Sequence, residues 1–71
     1  MSRIELDNRG LEAPEPMVRI LGVLAELRVG DSIVALMDHE PLLLYPELER
    51  RGCRWKLEAD VDTFVLTIQR A

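Results

Sequence analysis

The sequence predicts an α+β domain, a two-layer sandwich in which two helices cover one face of a four-stranded mixed sheet in the order β-α-β-α-β-β. Three observations lead to this prediction. The hydrophobic period switches between two and 3.6 residues along the chain, prolines mark the start of two helical segments, and a glycine follows each of them. A chain of 71 residues has room for one thin core, so we treat residues 1–71 as a single domain.

The first strand and the first helix are separated by a turn. Residues 3–7 alternate between charged and apolar side chains, which is typical of a strand with one buried face. From Met17 onward the apolar residues fall at helical spacing, and Gly30 is placed to cap the end of this segment. Gly22 lies inside the helix, where glycine lowers helix stability, and we expect it to let the helix approach the sheet closely.

The second half of the chain predicts a central strand, a short helix and a hairpin. Residues 32–37 are continuously apolar after the serine, which suits a central strand covered on both faces or partly covered on the second. A shorter helix follows, with Pro46 in its first turn and Gly52 after its end. Residues 53–59 and the segment from Phe64 both alternate, which predicts a hairpin with a loop of three to five residues. The helical connection between the first two strands makes them parallel, with a right-handed crossover.

Charge and composition narrow the classes of function. The formal net charge of -4 opposes nucleic-acid binding. Arg50, Arg51, Arg54 and Lys56 form a local basic cluster, which we interpret as a solvated helix end rather than a nucleic-acid surface. One cysteine excludes an internal disulfide, and the chain has neither a signal-peptide pattern nor an apolar run of the ~18 residues that a membrane span needs. We therefore expect a cytoplasmic protein that binds neither membrane nor nucleic acid.

The stretch LDNRGLEAPEPMVRIL, followed by GDSI and a second helix, resembles the motif of the TusA/SirA-like family of small sulfur-carrier proteins. The matching positions are Leu6, Asp7, Gly10, Leu11, Pro14 and Pro16. The resemblance implies the same β-α-β-α-β-β sandwich. In that family a cysteine that carries a persulfide precedes the first proline, whereas this chain has Ala13, which cannot hold sulfur. The resemblance thus implies a helix start of similar geometry without its nucleophile.

The stretch DHEPLLLYPELERRG resembles a related group of uncharacterised proteins that shares this fold and lacks the cysteine. The matching positions are Asp38, His39, Glu40, Pro41, Leu44, Tyr45, Arg51 and Gly52. Leu43 stands where that group has proline. Some members of the group are fused to, or encoded near, haemerythrin-like and other metal or nitrogen-oxide proteins. The chain is identified as a member of this cysteine-less group, which implies a link to redox, metal or haem proteins.

The parallel strands predict where a site lies. Their carboxyl ends share one edge of the sheet, so Arg9, the helix start and His39 are expected to form one shallow site. The expected ligand- or partner-binding residues are Arg9, Ala13, Pro14, Glu15, Pro16, Asp38, His39, Glu40 and Tyr45. Glu12 and Glu15 suit either acid–base chemistry or, as we favour, stabilisation of a helix N-terminus.

Two alternatives stay open at this site. His39 and Met37 are candidate metal or haem ligands, but a structural zinc site needs four protein ligands. The competing interpretation is that His39 forms hydrogen bonds in a loop and that Met37 belongs to the core. Tyr45 and residues 42–44 form either an exposed patch for a partner or part of the core beneath the second helix.

The sequence favours a non-enzymatic interaction module, because no nucleophile–base pair, phosphate loop or metalloenzyme motif is visible. Its expected partner is a redox, haemerythrin-like or sulfur-relay protein, and its cofactor is unknown. The alternative function is a sulfur carrier that uses Cys53, beside Arg51 and Arg54, in place of the motif cysteine. Against it, Cys53 alternates in phase with Trp55 and Leu57, which favours a core position.

Overall fold

The computed structural model describes residues 2–71 and has the predicted two-layer α+β architecture; Met1 lies outside the described residues. The elements are β1 (Arg3–Asp7), α1 (Glu15–Leu24), β2 (Ser32–Met37), a 3₁₀ turn (Leu42–Leu44), α2 (Tyr45–Arg50), β3 (Cys53–Ala59) and β4 (Phe64–Arg70). The strands form one sheet in the order β1-β2-β4-β3. β1 and β2 are parallel, and the other two pairs are antiparallel. The predicted mixed sheet and its strand bounds are confirmed.

The core lies between the helices and one face of the sheet. It consists of apolar side chains from the helices and from alternate strand positions: Ile20, Leu24, Leu27, Ile33, Ala35, Met37, Leu44, Leu48, Cys53, Leu66 and Ile68. Complete burial of one such leucine or isoleucine contributes about 1.5–3 kcal/mol relative to an exposed position. On the other face of β2, Ser32, Val34 and Leu36 stay partly exposed. Of the two arrangements predicted for the central strand, partial cover of the second face is therefore correct.

Helix α1 differs from its predicted bounds. It begins at Glu15, two residues before Met17, and it ends at Leu24 instead of continuing towards Gly30. Beyond Leu24 the helical hydrogen bonds shorten by one residue, and the Leu27 N–H donates to the Leu24 carbonyl at 3.2 Å. This tightening turns Leu27 into the core, which explains why its apolar spacing suggested a longer helix.

Two glycines have roles other than those predicted. Gly30, with φ 91°, lies in the turn before β2, where the Asp31 N–H donates to the Arg28 carbonyl at 2.9 Å. Gly22 is exposed, and a Cβ at this position would have no neighbour within 4 Å. The prediction that Gly22 brings α1 close to the sheet is wrong, because this position faces solvent. Within residues 2–71, no helix is long and apolar enough to cross a membrane.

Candidate functional site

The two parallel strands end side by side and place two loops at one edge. Asp7 pairs with Leu36, and the Asn8 N–H extends the ladder by donating to the Leu36 carbonyl at 2.9 Å. The Gly10 N–H donates to the Asp38 carboxylate at 2.6 Å, which ties the turn after β1 to the loop after β2. This edge is where sheets with parallel strands commonly bind ligands.

A pocket with a volume of about 290 Å³ opens at this edge. We call it the helix-start pocket, and its lining comprises Asn8, Leu11, Ala13, Pro14, Pro16, Met17 and residues 37–44. The lining is mostly apolar, with polar groups at Asn8 and residues 38–40. An apolar pocket with a few polar groups is the usual form of a binding site. The structure thus brings together the predicted helix start and the predicted Asp-His-Glu segment.

Prolines form one wall of the pocket. The Ala13–Pro14 peptide bond is cis, and the Val18 N–H donates to the Pro14 carbonyl at 3.0 Å to open the first turn of α1. Pro16 also lies in this first turn, where a missing N–H costs no helical hydrogen bond. Ala13 is exposed beside them. The wall therefore presents a methyl group and two pyrrolidine rings to the pocket.

Asn8 is the buried polar residue of the pocket, with only 1% of its surface exposed. Its Nδ2 donates to the Pro16 carbonyl at 3.3 Å and lies 3.5 Å from the Met37 sulfur. Its Oδ1 accepts a hydrogen bond from Arg19 Nη1 at 2.8 Å. The side chain therefore joins the end of β1 to α1. From the sequence Asn8 was expected only in a turn, although its position continues the buried alternation of β1.

The polar rim is formed by Asp38, His39 and Glu40, which are all exposed and line the pocket. The Asp38 carboxylate accepts a hydrogen bond from the Gly10 N–H. Glu40 accepts a hydrogen bond from the Tyr45 hydroxyl at 3.1 Å. Burial, and then this hydrogen bond, raise the pKa of Tyr45 above its ordinary value. Two of the three rim side chains are thus held by neighbours that the sequence could not pair.

Arg9 and Glu15, both expected at the site, do not line the pocket. The Arg9 guanidinium donates from Nε and Nη2 to both carboxylate oxygens of Asp7, at 2.9 and 2.8 Å. These charged hydrogen bonds lower the pKa of Asp7 to about 2 and raise the pKa of Arg9. Glu15 is the exposed first residue of α1, where a carboxylate suits the helix dipole.

Residues 42–45 divide between surface and core. Leu44 is buried, and the Tyr45 ring stacks on Trp55 with ring centroids 5.6 Å apart, outside the pocket. Leu42 and Leu43 are 64% and 80% exposed and line the pocket. The three leucines occupy one 3₁₀ turn, which points only one of them into the core. Each of the two interpretations of this segment therefore holds for part of it.

Among residues 2–71 the geometry provides no closed metal site. Met37 and His39 both line the pocket, but Met37 is buried at the end of β2 with its sulfur beside Asn8. In the part of the chain that the structure describes, no group of three or more His, Cys, Asp or Glu side chains is arranged to hold a metal ion. One imidazole and one thioether leave at least two positions of a tetrahedral ion unfilled.

Cys53 lies at the opposite end of the sheet from the pocket. It begins β3 opposite Arg70, whereas Ala59, at the other end of β3, pairs with Phe64 beside Met37. The length of β3 separates Cys53 from the pocket end by roughly 20 Å along the strand. The Cys53 side chain is 6% exposed and belongs to the core. A sulfur-carrying role would require this buried thiol to become accessible.

The fold and the pocket define a small two-layer α+β domain with a preformed apolar pocket at the carboxyl ends of its parallel strands. The chain belongs to the family described as "Uncharacterized conserved protein (DUF2249)", whose family model matches residues 5–70. This span runs from β1 to the end of β4, so it contains the whole lining of the pocket. Comparison with curated proteins and with solved structures gives no match.

Proposed function

We propose that this domain is a non-enzymatic interaction module that receives an apolar group of a partner protein in the helix-start pocket. The observation that carries the proposal is the pocket itself, with its apolar walls and the two exposed leucines, Leu42 and Leu43, beside it. Exposed apolar surface with a polar rim is typical of an interaction site. The residues that line the pocket include no serine, threonine, cysteine or lysine, which favours recognition over covalent chemistry.

The resemblance of residues 6–16 to the TusA/SirA motif supports the choice of this edge. We infer that the domain shares the fold of those sulfur carriers and has replaced their thiol with the methyl group of Ala13. The edge that presents sulfur in the resembling proteins then presents an apolar wall here. A partner that docks on such an edge is bound by contact and receives no transferred group.

The class of partner is proposed from the second resemblance. Residues 38–52 resemble a group that is associated with haemerythrin-like and other metal or nitrogen-oxide proteins, so the proposed partner is a redox, metal or haem protein. His39, on the pocket rim, is placed to contact it. The metal or haem then belongs to the partner, in agreement with the incomplete ligand set around His39.

Small neutral apolar probes test the proposal without knowledge of the partner. The affinities of indole and isobutanol are measured by saturation-transfer NMR for three proteins: the wild type, a Leu42→Ser/Leu43→Ser variant and a Val61→Ser control. All three positions are highly exposed, so none of the substitutions opens the core. We expect saturable binding that weakens several-fold in the leucine variant and is unchanged in the control. Equal binding to all three proteins, or no binding to the wild type, would contradict the proposal.

A second titration separates a partner protein from a directly bound cofactor. Haem and zinc ions are added to the wild type and to His39→Ala, and binding is followed by absorbance and by calorimetry. We expect no stoichiometric zinc binding, because His39 lacks the further ligands that a closed site needs. We expect no tight haem binding, because His39 is exposed on a rim beside two carboxylates that oppose the haem propionates. Tight one-to-one binding that is lost in His39→Ala would make the cofactor itself the occupant and would overturn the proposed protein partner.

A further inference from the structure

The charge around the helix-start pocket has one sign. Two segments form its walls, residues 11–17 and residues 37–44, and neither contains a lysine or an arginine. Together they carry four carboxylates, Glu12, Glu15, Asp38 and Glu40. Asp38 and Glu40 line the pocket, and Glu12 and Glu15 are exposed next to lining residues of the first segment, so the surface around the mouth is acidic.

The whole pocket end of the sheet shares this acidity. It holds eight carboxylates and two guanidinium groups, a formal net charge of -6. These residues are Asp7, Glu12, Glu15, Asp38, Glu40, Glu58, Asp60 and Asp62, against Arg9 and Arg19. The opposite end, together with α2, holds six arginines and four carboxylates, which gives a formal net charge of +2. Glu5 and Lys56 lie between the two ends, and their charges cancel. The overall charge of -4 is thus concentrated where the pocket opens.

The four wall carboxylates are available to an incoming cation. Within residues 2–71 none of them forms an ion pair, whereas Asp7 is already paired with Arg9. Asp38 and Glu40 each accept one hydrogen bond from their own chain, which leaves further acceptor positions on both carboxylates. Those hydrogen bonds also hold the two groups in place, so a guanidinium would meet acceptors that are already positioned.

We infer that the occupant of the helix-start pocket is a cationic segment of a partner protein, with a leucine-like side chain flanked by arginine or lysine. This inference rests on the proposed function and adds the chemistry of the occupant. The partner's apolar side chain contributes affinity by filling the pocket, and its flanking cations form ion pairs with the carboxylates around the mouth. A nucleic acid, an acidic peptide or the propionates of a free haem would bring charge of the wrong sign to the same mouth. A hydrated metal cation would leave the apolar walls unused.

Three amidated peptides of equal length test the inference. The first carries a leucine pair between arginines, the second replaces the arginines with glutamates, and the third replaces the leucines with serines. Calorimetry measures the affinity of each peptide at about 20 mM and at about 500 mM NaCl, because the higher salt concentration screens electrostatic attraction. The proteins are the wild type, Glu12→Gln/Glu15→Gln/Glu40→Gln at the pocket, and the matched control Glu5→Gln/Glu26→Gln/Glu49→Gln, whose exposed carboxylates lie away from it. Both triple variants change the net charge by the same amount.

The expected result is that the arginine–leucine peptide binds about tenfold more tightly than its glutamate twin at low salt. This preference shrinks at high salt, is lost in the pocket variant and is kept in the control variant. Equal affinity for the two leucine peptides, or equal affinity for the leucine and serine peptides, would overturn the inference. Equal affinity for the two leucine peptides would leave the proposed function intact, because indole and isobutanol carry no charge and test the pocket alone. Equal affinity for the leucine and serine peptides together with saturable indole binding would show that the pocket binds apolar groups but not this peptide.

A second copy of the chain is the competing occupant, since the opposite end of the molecule is basic. Sedimentation of the wild type over a range of protein and salt concentrations tests it. The inference predicts a species of constant mass. Salt-sensitive self-association that disappears in the pocket variant but not in the control would identify the basic end of another copy as the occupant. That outcome would overturn the inference of a separate cationic partner.

Discussion

The two ends of the sheet are built from the same strands but are closed in different ways. At the end that holds Cys53, turns with a glycine at positive φ, Gly30 and Gly52, return the chain to the sheet, and Leu27 in the connection from α1 to β2 is buried. At the pocket end, the connections that follow β1 and β2 leave the sheet side by side, and Leu42 and Leu43 stay in solvent. The connections on the two sides of α1, residues 8–14 and 25–31, have the same length, so loop length does not explain the contrast. The two ends differ in what their connections bury: Leu27 belongs to the core, whereas Leu42 and Leu43 stay exposed beside a pocket.

The largest expected contrast is between matched leucine truncations at the two ends. Leu27→Ala should lower the free energy of unfolding by about 2–4 kcal/mol, because it removes buried apolar atoms and leaves a cavity. Leu43→Ala should change it by less than about 0.5 kcal/mol, because that side chain is exposed. Urea denaturation of the two variants measures the difference. Similar losses in both would show that Leu43 is packed in solution and that the pocket end is closed.

The native Cys53 and a cysteine introduced at the pocket end should differ in their rates of alkylation. In the folded protein the buried Cys53 thiol should react with iodoacetamide on the order of 100-fold more slowly than in urea, since reaction requires local opening. A cysteine introduced by Ala13→Cys, in a Cys53→Ala background, should react at a rate close to that in urea, because position 13 is exposed. Rapid alkylation of Cys53 in the folded wild type would instead revive the sulfur-carrier alternative.

Two glycines with equally open surroundings should respond in opposite directions. A Cβ at Gly10 or at Gly22 would meet no atom within 4 Å, so packing does not distinguish them. Gly10→Ala should destabilise the fold by about 1–2 kcal/mol, because φ is 81° there. Gly22→Ala should stabilise it by about 0.5–1 kcal/mol through better helix propensity. Thermal unfolding of both variants is the measurement, and stabilisation by both would show that the turn at Gly10 is not rigid.

The smallest effect is expected at the exposed pair that holds Arg9 outside the pocket. Arg9 lowers the pKa of Asp7 from 3.8 to about 2, so the ionised carboxylate stabilises the folded state above pH 4. That stabilisation should disappear as the pH falls from about 4 to about 2. Asp7→Asn should therefore be less stable than wild type at pH 7 and should match it near pH 2, as measured by urea denaturation. Asp62→Asn, on the exposed β3–β4 turn, is the control, and an equal pH dependence in both variants would contradict this assignment.

The sequence predicted β1, β3 and β4 well because their alternation has one dominant cause, the burial of a single face, and it predicted β2 from a continuous apolar run. The end of α1 could not be predicted, because Leu27 lies in the turn after the helix and is still buried. The apolar residues therefore keep their helical spacing beyond the last residue of the helix. At the site, the sequence correctly brought Ala13 and His39 to one edge, since parallel strands require it. From the sequence, Arg9 suited either the site or a structural pair with Asp7, two residues away, and the structure has the pair.

An amide shift map tests whether the pocket end binds while the opposite end only supports the fold. ¹⁵N-labelled protein is titrated with the arginine–leucine peptide, and the perturbed residues are placed on the structure. The account predicts saturable shifts within residues 11–17 and 38–44, with residues 27–31 and 53–56 unaffected. Shifts centred on residues 53–56, or spread evenly over both ends, would contradict it.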